Sequence, residues 1–308
     1  MPANSFLTNA AIGNREDLVD IIYNTAPTDT PLISAIDKVK ASAVTHEWQR
    51  DVLATPANNA VAEGADATYT SVTPTQRLSN QTQISRKTFS ISDTQERVNK
   101  AGRKSEIRYQ TIKQGKELRK DMELACIENP TLTTGATRQT RGLRGWIVTG
   151  SSSGATGSAP NFGTNTAPVD GTLRTYTEAL LRSAVLSAYT NGGNPSMLMV
   201  APAIKQNVSS TFTGNGTKFN KGETNQLNTA WDVVKTDFGE LDVVPNRVMQ
   251  RTREAYLVDP DLVALAVLRD MEDQELARIG SARNFMIESE YALEVREERG
   301  LACTRDIQ

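Results

Sequence analysis

Histidine and cysteine are scarce in this 308-residue chain, and both shortages exclude chemistry. His46 is the only histidine, so a Ser-His-Asp triad, a Cys-His pair or a poly-histidine metal site would depend on this residue alone. It lies in a polar stretch, which favours a structural or surface role. Cys126 and Cys303 lie far apart and match no Cys-x-x-Cys pattern, which argues against a disulfide framework or a zinc site. We therefore expect no metal and no cofactor.

The chain also lacks a strong net charge and a long apolar run. Its formal net charge of -2 gives no overall basic field that would attract nucleic acid. The longest strongly apolar stretch, residues 262–268, is too short to span a bilayer, and the N-terminus has no charged start followed by an apolar run. We expect a soluble protein without a membrane partner or an export signal.

Polar residues are plentiful instead, and they concentrate in residues 43–98, which are rich in Thr, Ser, Asn and Gln. Strands of this composition bury too little apolar area to offset roughly 1 to 2 kcal/mol of backbone entropy per residue. Alternation at 44–49 and a return strand at 75–91 predict a long hairpin-like loop. The economical explanation of such a loop is burial against another copy of the chain. We predict that its large apolar side chains make that contact: Trp48, Val52, Leu53, Tyr69 and Leu78.

An N-terminal arm precedes this loop. Asn14 is placed to cap a short amphipathic helix that ends before Pro27. Its apolar face is a second predicted intersubunit contact, formed by Leu18, Ile21 and Ile22.

A long helix and a long strand are predicted downstream. Residues 101–128 carry a narrow apolar stripe at three- and four-residue spacing, and Gly115 within it suggests a close backbone contact or a bend. Residues 283–299 alternate with period two. Between them, the pattern predicts a helix ended by Asn191, a buried strand at 196–200, a helix from Pro202, a hairpin around Gly239 and a strand at 254–258.

Two charged features leave alternatives open. Glu288 and Glu290 share one face of the predicted strand, a spacing that would suit a carboxylate-dependent hydrolase, although a solvated or intersubunit charged face is the simpler interpretation. The second feature is a set of cations on the long helix that would meet phosphate, or else form a solvated helix face or salt bridges with acidic residues such as Glu288 to Glu294. These cations are Arg103, Lys104, Arg108, Lys113, Lys116, Arg119 and Lys120.

The order of these parts resembles the major capsid proteins of tailed bacteriophages, which have the Hong Kong 97-type fold. The most suggestive local matches are residues 14–36, 107–127 and 287–300. The resemblance implies an α+β fold with five segments along the chain. These are an N-terminal arm at 1–42, an extended E-loop at 43–98, a P-domain with the spine helix at 99–169, an A-domain at 170–282, and the long P-domain strand with the C-terminus at 283–308.

The same resemblance implies a virion protein, not an enzyme, that assembles in the host cytoplasm into pentamers and hexamers of an icosahedral head. Its expected partners are other copies of itself, a portal, separate scaffolding or decoration proteins, and packaged double-stranded DNA held by non-specific inner-face contacts. The capsomer axis would be surrounded by residues 213–225 or the turn at Gly239. Residues 51–86 contain no lysine, so we expect a shell without lysine crosslinks from this loop. An encapsulin-like compartment of the same fold is the main alternative.

Overall fold

A long helix and two β-sheets form the framework of the chain. The computed structural model describes residues 29–99, 102–211 and 233–308. Its helices are α1 (Pro31–Ala35), α2 (Asp93–Arg97), α3 (Glu106–Glu128), α4 (Leu143–Trp146), α5 (Glu178–Thr190) and α6 (Pro202–Thr211). Its strands are β1 (Asp37–Lys40), β2 (Thr45–Arg50), β3 (Gln76–Gln81), β4 (Gln83–Ser92), β5 (Ser151–Ser152), β6 (Met197–Val200), β7 (Val233–Thr236), β8 (Gly239–Pro245), β9 (Glu254–Val258), β10 (Val263–Leu276), β11 (Ala282–Val295) and β12 (Ala302–Arg305).

The first sheet has the strand order β1-β10-β11-β4 and is built around a long antiparallel hairpin of β10 and β11. The predicted long strand is confirmed as β11, and its odd-numbered apolar residues from Phe285 to Val295 are buried. Its partner β10 was missed, because its buried first half is continuously apolar and shows no alternation. The predicted division of the chain places β10 in the A-domain segment, whereas its pairing joins it to the sheet of β11.

Helix α3 packs on β4 and β11 of this sheet. It begins at Glu106, later than the predicted residue 101, because Ser105 is the N-cap and its Oγ accepts a hydrogen bond from Arg108 N. The C-terminal half of the predicted stripe is buried, including Leu118 and Met122. A Cβ at Gly115 would meet only Met271 Sδ, at 3.9 Å. The close backbone contact predicted at Gly115 is therefore wrong.

The second sheet has the order β5-β12-β9-β6-β8-β7. Its buried strand β6 and the strand β9 fall where the sequence predicted them, and Asn191 caps the end of α5 as expected. The hairpin of β7 and β8 turns just before Gly239, whose φ of 152° is in the region that favours glycine. The chain returns near its end to place β12 between β5 and β9. Residues 213–225 lie outside the described residues.

Strands β2 and β3 form a separate two-stranded ladder, in register from Thr45 opposite Gln81 to Arg50 opposite Gln76. The single return strand predicted at 75–91 is instead two strands in different sheets. The break falls at Thr82, which is buried and whose Oγ1 donates to Glu290 Oε1 at 2.8 Å. None of the helices that the structure describes is long and apolar enough to cross a bilayer.

Candidate intersubunit surface

The loop between β2 and β3, residues 51–75, lies outside the core of its own subunit. Every residue from 51 to 77 is exposed. Inside the loop, one backbone hydrogen bond runs from Ala65 N to Ala62 O at 3.1 Å. The backbone and side chains of this long polar loop are therefore accessible to a neighbouring molecule.

Apolar side chains on this loop are exposed to an unusual degree. Of the predicted contact residues, Tyr69 is 97% exposed, Leu53 93% and Val52 51%. The sequence prediction omitted Val61 and Val72, which are 81% and 92% exposed. Single exposed apolar residues need no explanation, but several of them on one loop indicate an interaction surface. Val52, Leu53 and Tyr69 stay predicted contacts of a neighbouring subunit.

Trp48 and Leu78 were also predicted as intersubunit contacts, and the structure places both against their own subunit. They lie opposite each other in the β2–β3 ladder. Leu78 is buried in the main core and Trp48 packs against that core, with its ring 5.4 Å from the Trp146 ring. Trp48 Nε1 donates to Val295 O at 3.0 Å. The polar segment was expected to have no core of its own, yet these two side chains attach its base to β11.

Asn80 is a second anchor that the sequence analysis missed. It is fully buried, and its Nδ2 donates to Leu293 O at 2.7 Å and to Arg141 O at 3.0 Å. Its Oδ1 accepts from Arg141 N at 2.9 Å and Gln81 N at 3.0 Å. Its burial could have been predicted from the sequence, because Asn80 lies two residues after Leu78 and so shares the inward face of the strand. A buried amide with this many partners fixes the strand to its surroundings.

Charged contacts complete the base of the loop. His46 Nε2 lies 2.6 Å from Glu294 Oε2, which gives the only histidine a structural role. Arg50 Nη1, at the last ladder position before the loop, donates to Glu297 Oε1 at 3.0 Å. The three predicted contacts of the N-terminal arm, Leu18, Ile21 and Ile22, lie outside the described residues.

The carboxylates of Glu288 and Glu290 are buried and bound by arginine. Glu288 accepts from Arg86 Nε at 2.7 Å and lies 2.6 Å from Arg269 Nη1. Glu290 accepts from Arg138 Nη2 at 2.7 Å and from Arg269 Nε at 3.0 Å. This cluster corrects the solvated alternative, whereas an intersubunit charged face stays a prediction.

The electrostatics of this cluster suit a structural pair better than a catalytic one. Burial alone would raise the pKa of Glu288 and of Glu290, but hydrogen bonds and the charges of the arginines outweigh it and hold both pKa values below the ordinary range. A glycosidase-type general acid needs a raised pKa. Two ionised carboxylates already bound on both oxygens hold the strands together, and this arrangement gives no support to the hydrolase alternative.

The cations of α3 do not pair with the acidic residues of β11. Lys87 of β4, which lies opposite Ile287, pairs with Asp121 of α3 at 2.7 Å. Alternation then places Glu288 and Glu290 on the sheet face away from the helix. The predicted contact with Glu288 to Glu294 is therefore wrong. Arg119 bonds Thr30 and Ser34 of the N-terminal segment instead.

Comparisons with known proteins match the chain over nearly its whole length. The family model described as SU10 major capsid protein matches residues 4–308. The major capsid protein of Escherichia phage Phieco32 is 27% identical over 326 residues, covering 92% of each chain. Among solved structures, the capsid of a native GTA particle has a TM-score of 0.69 at 10% identity and covers 99% of this chain and 100% of its own. A Mycobacterium phage Adephagia chain has a TM-score of 0.66 at 12% identity, with 99% of each chain covered.

Similarity of fold does not separate phage capsids from encapsulins, because the SrpI encapsulin of Synechococcus elongatus PCC 7942 also has a TM-score of 0.59, at 9% identity, with 96% of this chain and 92% of its own covered. The match that separates them is the family model over residues 4–308, together with the curated phage relative. The chain therefore belongs to the SU10 major capsid protein family and is the major capsid protein of a tailed phage, with the Hong Kong 97-type fold.

Proposed function

We propose that loop 51–75 is the clamp that joins subunits into the pentamers and hexamers of the shell. The observation that carries the proposal is the contrast between the loop and its base: five apolar side chains are largely exposed, while β2 and β3 are fixed to the core through Trp48 and Asn80. Fully burying one such side chain contributes about 1.5 to 3 kcal/mol. Several modest contacts per subunit, repeated by symmetry, are sufficient for a stable closed shell.

Family membership supports further proposals about the assembly. We infer that the shell forms in the host cytoplasm, encloses double-stranded DNA through non-specific inner-face contacts, and uses a portal and scaffolding or decoration proteins that are separate chains. Residues 51–86 contain no lysine, so this loop cannot supply a lysine crosslink. It holds its neighbour by packing and hydrogen bonds instead. We assign Glu288 and Glu290 a structural role and no catalytic one.

The β2–β3 register allows a clean test of the clamp. Arg50 lies directly opposite Gln76, so a two-residue Asn-Gly turn in place of residues 51–75 closes the ladder as a tight hairpin. The shortened subunit keeps both anchors and is expected to unfold at close to the wild-type temperature. It is expected to form no shells in electron micrographs.

A matched control keeps the loop at full length. Asn58→Ser and Asn59→Ser change exposed polar side chains and should leave assembly unchanged, whereas Leu53→Ser with Tyr69→Ser should reduce it strongly. Normal particles from the Asn-Gly variant would overturn the proposed clamp.

A further inference from the structure

A cavity of about 520 Å³ opens beside the base of loop 51–75. Its walls include Leu78 of β3, Trp146 of α4 and Phe162. The rings of Trp146 and Phe162 lie 5.5 Å apart. The rest of the lining is largely polar and includes Gln76, Arg77, Ser79, Arg141 and Asn165. Two groups in the lining bear on what the cavity can bind.

The first polar group is Arg141, a buried cation without a carboxylate partner. Only 3% of the residue is exposed. Its guanidinium lies 4.8 Å from the centre of the Trp146 ring, and its Nη2 donates to Asn165 Oδ1 at 2.8 Å. Within the part of the chain that the structure describes, it forms no ion pair. Burial lowers the pKa of Arg141 to about 10. A buried charge without a counter-ion is costly.

The second group is the indole N–H of Trp146. The side chain is 1% exposed, and Nε1 is buried without a hydrogen-bond acceptor among the described residues. A buried donor of this kind is costly when it is left unsatisfied. Arg141 and Trp146 line the same cavity. Arg141 provides positive charge to this cavity without a carboxylate partner, and Trp146 contributes to its wall.

Carboxylates without cations lie on the loop that begins at this cavity. Residues 51–75 contain Asp51, Glu63 and Asp66 and no lysine or arginine. Asp51 already accepts from Val52 N at 2.9 Å. Glu63 lies in the turn that the bond from Ala65 N to Ala62 O closes, next to Gly64 with its φ of 79°. That turn presents Glu63 at an exposed position of the loop.

We propose that the cavity receives the Glu63 carboxylate of a second copy of the chain, which binds Arg141 beside the Trp146 ring. This inference rests on the proposed clamp function of loop 51–75, and it identifies Glu63 as the charged residue that fixes the loop to its neighbour. Arg141 supplies the opposite charge, and the apolar walls accept the neighbouring loop residues. Charge-assisted hydrogen bonds in a desolvated site are stronger than exposed ones.

Disulfide trapping between two populations of full-length subunits tests the placement. One population carries Glu63→Cys and the other Arg77→Cys, which lies on the cavity wall with an exposed side chain. The native cysteines Cys126 and Cys303 are buried. Shells assembled from the mixture and then oxidised should contain a covalent dimer. A mixture of Ser183→Cys, on the exposed surface of α5, with Glu63→Cys should contain none.

A matched pair of loop variants tests the energetics. Glu63→Gln should raise the subunit concentration needed for assembly by about tenfold or more, whereas Asp66→Asn, which removes the same charge nearby, should change it by less than about threefold. After Arg141→Met, Glu63→Gln should cause no further loss.

The possible outcomes separate this proposal from the clamp. Equal effects of Glu63→Gln and Asp66→Asn, or shells that yield no mixed dimer, would overturn the Glu63 site and leave the clamp standing. A disulfide that forms only when both cysteines are in one chain would show that the loop binds its own cavity, which also overturns the proposal. Assembly of the Asn-Gly variant would overturn both.

Discussion

Glu290 is the residue whose contacts most clearly predict a stability effect. Burial raises its pKa, but bonds from Thr82, Arg269 and Arg138 outweigh this and hold the pKa below its ordinary value. A carboxylate with a lowered folded-state pKa contributes stability above the unfolded pKa of about 4.3 and loses it as the pH falls through the folded pKa. Glu290→Gln should therefore cost about 1 to 3 kcal/mol at pH 7, and the difference from wild type should shrink towards zero on acidification.

Chemical denaturation of unassembled subunits at several pH values measures this difference. Glu275→Gln is the control, because that carboxylate pairs with Arg283 on an exposed part of the β10–β11 hairpin. Solvent and salt screen an exposed pair of this kind, so its loss should change stability little. A loss for Glu290→Gln that stays constant from pH 7 to well below pH 4 would contradict the ionised role of the carboxylate.

Individual residues were only partly predictable from the sequence. The exposed loop residues Leu53 and Tyr69 follow from composition, since a polar segment leaves its few apolar side chains without a local core. The roles of Trp48 and Asn80 cannot be predicted from composition, because both side chains bind β11. Their partners in β11 lie more than 200 residues away in the sequence. The burial of Arg141 could not be predicted either, because the residues near it in the sequence do not show which side chains surround it in the fold.

At the scale of elements, α3 joins the N-terminal segment to the second sheet through one buried carboxylate. Glu123 accepts from the backbone N–H groups of Leu32 and Ile33 at 2.8 and 2.9 Å and from Asn246 Nδ2 at 2.8 Å. Glu123→Ala should leave these donors unsatisfied and destabilise the subunit by about 2 kcal/mol or more. Amide hydrogen exchange at Leu32 and Ile33 should accelerate.

Glu117→Ala on the same helix is the matched control, because Glu117 is half-buried and meets only a weak contact with Lys113 at 4.0 Å. It should leave exchange at Leu32 unchanged. Protection of the two amides retained in Glu123→Ala would show that α1 is held by its apolar contacts alone.

Elements with a regular pattern were the predictable ones. Strand β11 alternates over its length, and β9 is bounded by charged and turn residues, so both were located. Strand β10 reads as an apolar run followed by an acidic one, because its first half is buried on both faces and its second half is exposed. The break at Thr82 was missed because the strand pattern continues through it while the hydrogen-bonding partner changes from β2 to β11.

At the scale of the whole molecule, the subunit combines a well-packed body with a loop that has almost no contacts of its own. The body satisfies its buried charges internally around Glu290 and Glu254, the latter bound by Arg144 and Arg305. The loop leaves apolar side chains and carboxylates exposed. Because loop 51–75 takes almost no part in the packing of its own body, assembly and folding should be separable by experiment, and proteolysis gives a direct way to do so.

A protease that cuts after glutamate should distinguish the free subunit from the shell. Glu63 lies in the exposed loop, so unassembled subunits should be cut there first, and the two fragments should stay together because β2 and β3 remain paired and anchored. In shells the same bond should resist, since the clamp is buried against a neighbour. Trypsin is unsuitable, because residues 51–76 contain no lysine or arginine.

Mass spectrometry of the fragments at matched protein concentration checks this prediction. An added unstructured peptide with one glutamate is the reference, because its cleavage does not depend on assembly. The ratio of cleavage at Glu63 to cleavage of this peptide should fall by at least about tenfold on assembly, as expected when opening of the loop requires loss of an interface. An unchanged ratio would mean that the loop stays exposed in the shell, and the subunits would then have to be joined through the packed body.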